Sequence, residues 1–207
     1  MAVKRGVLLL VLAAATLAGP AMAVEEPAFK QVLRDGDFEL RDYPSLVVAE
    51  VTVAGDQKEA ASNGFRLLAN YIFGANKQQQ SIAMTAPVAQ QAASEKIAMT
   101  APVAQTRNAA GTWVVRFTMP STYTLQTLPV PNDARVNLRD TDPARFAVLR
   151  FSGLAQSDTV EARSKELLAW VNARALRVRG PVSLAQYNPP WTLWLMRRNE
   201  VMVQVQP

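Results

Sequence analysis

The chain has 207 residues, 22 Lys+Arg against 17 Asp+Glu for a formal net charge of +5, and neither histidine nor cysteine. Those two absences exclude a Ser–His–Asp triad, a Cys–His dyad, a Cys/His zinc site, a disulfide framework and histidine ligation of iron. With 49% hydrophobic and 19% charged residues the composition is globular, and the length suits one domain, or one domain built from two similar halves.

Lys4 and Arg5 precede an apolar run from Gly6 to Leu17, then Gly19-Pro20 and the small residues of Ala21-Met22-Ala23. This layout predicts a secretory signal peptide over 1–23, too short for a comfortable membrane span, with export to the periplasm or medium. No cysteine follows it, so lipoprotein attachment is excluded. Cleavage removes two positive charges and leaves +3, spread along the chain. No Lys/Arg block points to nucleic acid, and no membrane span is expected in the mature chain. A lead segment over 24–36 then enters one domain, 37–207.

That domain reads as a duplication, with halves at about 37–130 and 131–207. Phe38–Gly55 aligns without a gap on Val136–Gly153 at an offset of 98: Leu40-Arg41-Asp42 falls on Leu138-Arg139-Asp140, Ala49 on Ala147 and Gly55 on Gly153. Val47, Ala49, Val51 and Val53 alternate as in a strand with one buried face. Asp56-x-x-Glu59 and Asp158-x-x-Glu161 each carry a capping-box pattern before a helix, roughly 57–73 and 159–176. The first helix stops at Gly74, a left-handed cap position. Further strands are expected at Ile82–Ala89, Lys96–Ala104, Thr112–Met119, Val182–Tyr187, Thr192–Arg197 and Glu200–Val205. The fold class is therefore α+β: duplicated half-units forming a distorted antiparallel β-barrel flanked by two α-helices.

Ile82–Gln90 recurs letter for letter as Ile97–Gln105. As strands, both copies put Ile, Met, Ala and Val on one face, and Pro87 and Pro102 belong at an edge, bulge or strand end. Met84 and Met99 read either as core or as ligand-facing groups. The first helix carries two adjacent apolar stripes, Ala61-Phe65-Leu68-Ile72 and Ala60-Gly64-Leu67-Tyr71, so one can cover a sheet while the other stays available. Tyr187-Asn188-Pro189-Pro190-Trp191-Thr192 is a stiff, extended loop that either displays its aromatics for stacking on a flat ligand or connects strands with them turned inward.

Tyr71–Asn76, the two Ile-Ala-Met-Thr-Ala-Pro-Val units, Phe117–Tyr123, Leu128–Asp133, Phe151–Gly153, Tyr187–Thr192 and Arg197–Val201 together resemble the SOUL family of haem-binding proteins, from about Phe38 to Val205. The resemblance implies the duplicated barrel and distant kinship with the effector-binding domains of bacterial drug-sensing regulators. It also implies tetrapyrrole binding, of haem or iron-free porphyrin, in a hydrophobic surface cleft. It places that cleft beside the first helix at Ser62, Phe65, Ala69 and Asn70, and at the late loop of Tyr187, Asn188, Pro189 and Trp191. Basic residues that hold propionates in some relatives fall here on Ser62 and Asn70, with Arg66 or Lys58 as substitutes. Axial ligation is left to Tyr71, Tyr187, Met84, Met99 or nothing. The resulting expectation is a carrier, buffer or sensor in the cell envelope, not an enzyme, with no catalytic residue and no protein-bound metal. The alternatives are an envelope module for other amphipathic ligands or protein partners, or a carboxylate-dependent hydrolase.

Overall fold

The computed structural model describes residues 24–78 and 94–206. The expected leader over 1–23, the expected strand Ile82–Ala89, the first nonapeptide copy and Met84 lie outside the described residues. In chain order the elements are β1 (Lys30–Asp35), β2 (Phe38–Tyr43), β3 (Val47–Val53), α1 (Gln57–Ile72), β4 (Asn76–Lys77), β5 (Val103–Arg107) and β6 (Trp113–Thr118). β7 (Val130–Pro131), β8 (Asn137–Asp140), β9 (Ala144–Ser152), α2 (Ser157–Ala173), β10 (Ser183–Gln186) and β11 (Arg198–Val205) complete them.

Among the described residues, nine strands form one antiparallel sheet in the order β1-β2-β9-β11-β10-β5-β6-β3-β8, curled into a half-barrel, and β4 pairs with β7. Beyond the extra strand β1, this order is a palindrome of equivalent strands. Leu40 pairs with Ala147, and its counterpart Leu138 pairs with Ala49. Each half thus lends its first strand to the other in the same register. At the centre β5 meets β10, with Gln105 directly opposite Leu184. Directly paired residues share a face, so Val51, Val115, Gln105, Leu184, Val201 and Leu149 form one continuous row.

The two helices lie on that face, α1 over β6 and β3, α2 over β11 and β9. Two apolar cores result, one around Val51, Leu68, Tyr71 and Val115, the other around Leu149, Leu167, Val171 and Val201. Both draw only on residues from Phe38 onward. The close approach of α1 follows from Gly64, where a Cβ would lie 2.5 Å from a Val115 methyl.

The caps fix where α1 begins and ends. The Asp56 carboxylate accepts from the backbone N–H groups of Lys58 and Glu59, both at 2.8 Å, and the Glu59 carboxylate accepts from Asp56 N–H. Gly74, at φ 119°, turns the chain out, and Ala75 N–H reaches Asn70 C=O at 2.9 Å, closing the helix in a Schellman turn. Buried Asn76 ties the exit down by donating to the Tyr71 and Glu95 carbonyls and accepting from Glu95 N–H.

Three sequence expectations change. The second capping box does not form: α2 is capped at Gln156 with no side-chain bond, and Asp158 lies inside the first turn, where it faces the positive end of the helix dipole. The strand expected over Lys96–Ala104 begins only at Val103, because Pro102 has no N–H for a ladder. Thr192–Arg197 is not a strand. Arg197 Nε donates to Thr192 C=O at 2.8 Å, and Trp194–Met196 form one 3-10 turn.

Candidate functional site

The buried face of α1 takes residues from both expected stripes: Ala60, Gly64, Leu68, Tyr71 and Ile72. This leaves two flanks. At about 100° per residue, Ser62, Phe65 and Ala69 line one and Asn70 the other, about 140° from Phe65. Phe65 is 38% exposed, and its ring meets Phe117 edge to face at 5.5 Å between centroids. Ala69 is buried, Ser62 and Asn70 are exposed, and Arg66 rides the crest with its guanidinium donating to Asn63. Asn70 instead lines a cleft of about 390 Å³ with Leu67, Tyr71, Ala75 and Asn132–Ala134. Asp133 forks onto Arg135 there, which holds its carboxyl down at about 2.

The Phe65 flank looks toward the middle of the sheet, where β5 and β10 lie between the helices. Phe117 pairs with Val103, and Val103 with Gln186, so these residues form one row about 10 Å long across the sheet between the helices, at roughly 4.8 Å per strand. Val103 and Gln186 are half-buried. Beside them Gln105, only 4% exposed, stands where the internal symmetry places Leu184, and its Oε1 has no hydrogen-bond partner. Its Nε2 approaches Gln186 Oε1 at 3.4 Å. A buried acceptor without a donor costs about 1–3 kcal/mol, and among the described residues this is the one buried side-chain polar atom without a partner.

The late loop follows directly on Gln186 at the end of β10. Asn188 Oδ1 accepts from Arg198 N–H at 2.6 Å, and Arg197 clips the Thr192 and Pro190 carbonyls, which leaves Pro189 and Trp191 exposed. Tyr187 is not part of this surface. It continues the β10–β11 pairing opposite Arg198, on the face away from the helices, and its hydroxyl donates to Glu200 Oε2 at 2.6 Å. Burial and the neighbouring Glu200 charge push this phenol well above the ordinary range.

Glu200 centres a charge cluster on that helix-free face. It is fully buried and accepts from both terminal nitrogens of Arg41, at 2.8 and 3.0 Å, and from Arg198 at 2.9 Å. Burial alone would raise its pKa. The Arg41 bonds and charge, with Tyr187 and Arg198, outweigh that and hold the carboxyl below the ordinary value. The lead segment crosses this cluster, Glu26 pairing with Arg198 and the Phe29 ring lying 4.4 Å from the Arg41 guanidinium. An ion pair between Arg198 and Glu200 is readable from their spacing on one strand, but its link to Arg41 is not, because Arg41 lies 159 residues from Glu200.

Residues 24–204 match the profile of the SOUL heme-binding protein family. The chain belongs to the SOUL family. Its fold resembles the C-terminal domain of EcmrR, with TM-score 0.59 at 9% identity over 82% of this chain and 96% of that one. EcmrR in its DNA complex superposes with TM-score 0.58 at 10% identity over 82% of this chain and 57% of that one. A Listeria innocua protein described as a hydrolase gives TM-score 0.50 at 12% identity over 84% and 94%. At these identities the likeness is one of fold. No curated protein matches the chain significantly.

The SOUL family is a haem-binding family, and this member's residues fit the macrocycle better than the iron. Phe65 offers apolar surface backed by the buried Phe117, the half-buried Val103 pairs with Phe117, and Arg66 and Lys58 rise from the same helix as cations. The iron finds less. Tyr71 OH is bound to the Pro129 carbonyl at 2.9 Å, Tyr187 OH to Glu200, and Met99 is packed against the first core. Among the described residues, no cluster of three or more Asp/Glu side chains could hold a metal ion, and no helix is long and apolar enough to cross a membrane.

Proposed function

We propose that this SOUL protein binds a tetrapyrrole in the trough between the Phe65 flank of α1 and the Asn188–Trp191 loop, and carries or buffers it in the cell envelope without chemistry of its own. The observation that carries the reading is Phe65, a large apolar side chain 38% exposed on the flank of α1 that faces the half-buried Val103 and Gln186. Ser62, Phe65 and Ala69 form the helix wall, Phe117, Val103 and Gln186 the floor, and Asn188, Pro189 and Trp191 the far rim. Arg66 and Lys58 face the propionates, while Asn70 belongs to the opposite flank and Tyr187 to the structural cluster. Bound haem supplies an iron centre; the protein contributes shape, apolar contact and cations.

Covering on the order of 800 Å² at ~25 cal/mol per Å² gives about 20 kcal/mol gross. Association costs roughly 4–15 kcal/mol, so micromolar affinity is reached without an iron–protein bond. Export rests on the leader-like layout of residues 1–23. The test is a Soret titration with haemin and protoporphyrin IX in parallel. Both saturate with dissociation constants within about tenfold of each other. Saturation by haemin alone contradicts the reading.

A further inference from the structure

Between Tyr187 and Asn199 the chain carries two tryptophans, two leucines, a methionine and two arginines, and no acid. Folding hides little of this. Trp191 is 83% exposed, and Leu193, Trp194, Leu195 and Met196 are each more than half exposed. No other run of the described residues leaves so many large apolar side chains uncovered in succession. The backbone beneath them is not loose. Arg197 clips the Thr192 and Pro190 carbonyls, Asn188 caps Arg198 N–H, Met196 N–H bonds Leu193 C=O at 2.8 Å, and Pro189-Pro190 fixes the ascending limb. The polar groups of the loop are consumed at its base while its apolar groups point outward.

We infer that the Trp191–Met196 tip is a docking surface for an anionic phospholipid bilayer. Trp, Leu and Met over a basic base is the composition that settles at the boundary between headgroups and acyl chains. Arg197 spends its hydrogen bonds on carbonyls and pairs with no carboxylate among the described residues, which leaves a positive charge at the rim of the tip. The charge of +3 from Val24 onward has the sign that an anionic surface attracts. A second copy is the poorer occupant. A stable dimer buries about 800 Å² and some 20–30 residues on each side, whereas the tip is six residues long. The tip borders the proposed trough, so docking places that trough at the membrane surface, where apolar ligands partition. The docking inference stands without the tetrapyrrole reading.

The test uses the chain from Val24, which contains every described element and both cores, without porphyrin. It is sedimented with phosphatidylcholine vesicles with and without phosphatidylglycerol. The wild type co-sediments, more strongly with phosphatidylglycerol, and Leu193→Ser/Leu195→Ser/Met196→Ser lowers the partition coefficient at least about tenfold. Brominated lipid quenches the tryptophan emission of the unmodified protein, an independent reading that does not depend on the variant folding. Absence of wild-type sedimentation, equal sedimentation of the variant, or unquenched emission overturns the inference. So does a wild-type dimer that the triple substitution dissolves while vesicles stay unbound. A parallel porphyrin titration of the triple variant, which keeps Trp191, tells failure of docking apart from failure of the ligand site.

Discussion

Tyr187→Phe separates the structural cluster from the ligand trough. The substitution removes one atom, the hydroxyl that donates to the buried Glu200 carboxylate at 2.6 Å, and leaves the ring under the Arg198 guanidinium, 3.7 Å from its centroid. Hydrogen bonds to charged groups contribute about 1.5–3 kcal/mol net. Glu200 keeps Arg41 and Arg198, so the lower half of that range applies, about 1.5–2 kcal/mol. At about 2–4 °C per kcal/mol for a domain of this size, the melting midpoint falls by about 3–8 °C. Calorimetry and urea titration measure the loss, and a Soret titration of the same protein measures the ligand site. Porphyrin affinity stays within about twofold, because the ring lies on the face away from α1. An unchanged midpoint together with a tenfold loss of affinity would refute this placement of Tyr187.

Three further outcomes follow from the same geometry. Glu200→Gln leaves Arg41 and Arg198 facing a neutral amide in a buried site, which costs about 3–5 kcal/mol at pH 7. The Glu200 carboxyl sits lower in the folded than in the unfolded chain, so its contribution is complete above the unfolded value of 4.5 and fades as pH falls through the lower folded value. The wild-type midpoint therefore drops more steeply below pH 4.5 than that of the variant, and parallel curves would contradict the pairing. Gly64→Ala drives a methyl into Val115 and costs about 1–3 kcal/mol against about 1 kcal/mol of helix propensity gained, and a Val115→Ala background reverses the sign; urea midpoints of the four proteins test this. Gln105→Leu removes the orphan acceptor, so stability rises by about 1 kcal/mol; a loss of stability in urea titration would show that the amide is satisfied in the folded protein.

Much of the architecture was legible because duplication writes the same local pattern twice. Leu-Arg-Asp at 40–42 and 138–140, the Asp56–Glu59 box and Gly74 all act where their spacing indicates. Strand exchange between the halves was not legible, because alternation tells which face a residue takes and not which strand lies beside it. The second capping box failed because Asp158 entered the helix and left Gln156 at the cap. The site was readable in outline. Phe65 and its flank follow from helical spacing, and the same spacing sets Asn70 apart. Parity would have placed Tyr187 as well: Leu184 and Gln186 share the helix face, so Ala185 and Tyr187 take the other. Gln105 stood in plain view as the last letter of the second nonapeptide, but its burial opposite Leu184 depends on how the two halves meet.

The most direct test of the ligand trough is an amide chemical-shift titration of the 15N-labelled protein with protoporphyrin IX. The trough reading predicts perturbations concentrated at Lys58, Ser62, Phe65, Phe117, Val103, Gln105, Gln186 and the Asn188–Trp191 loop, with Asn132–Ala134 and Arg41 unmoved. Shifts centred on Asn70 and Asn132, or no saturable shifts at all, would contradict it.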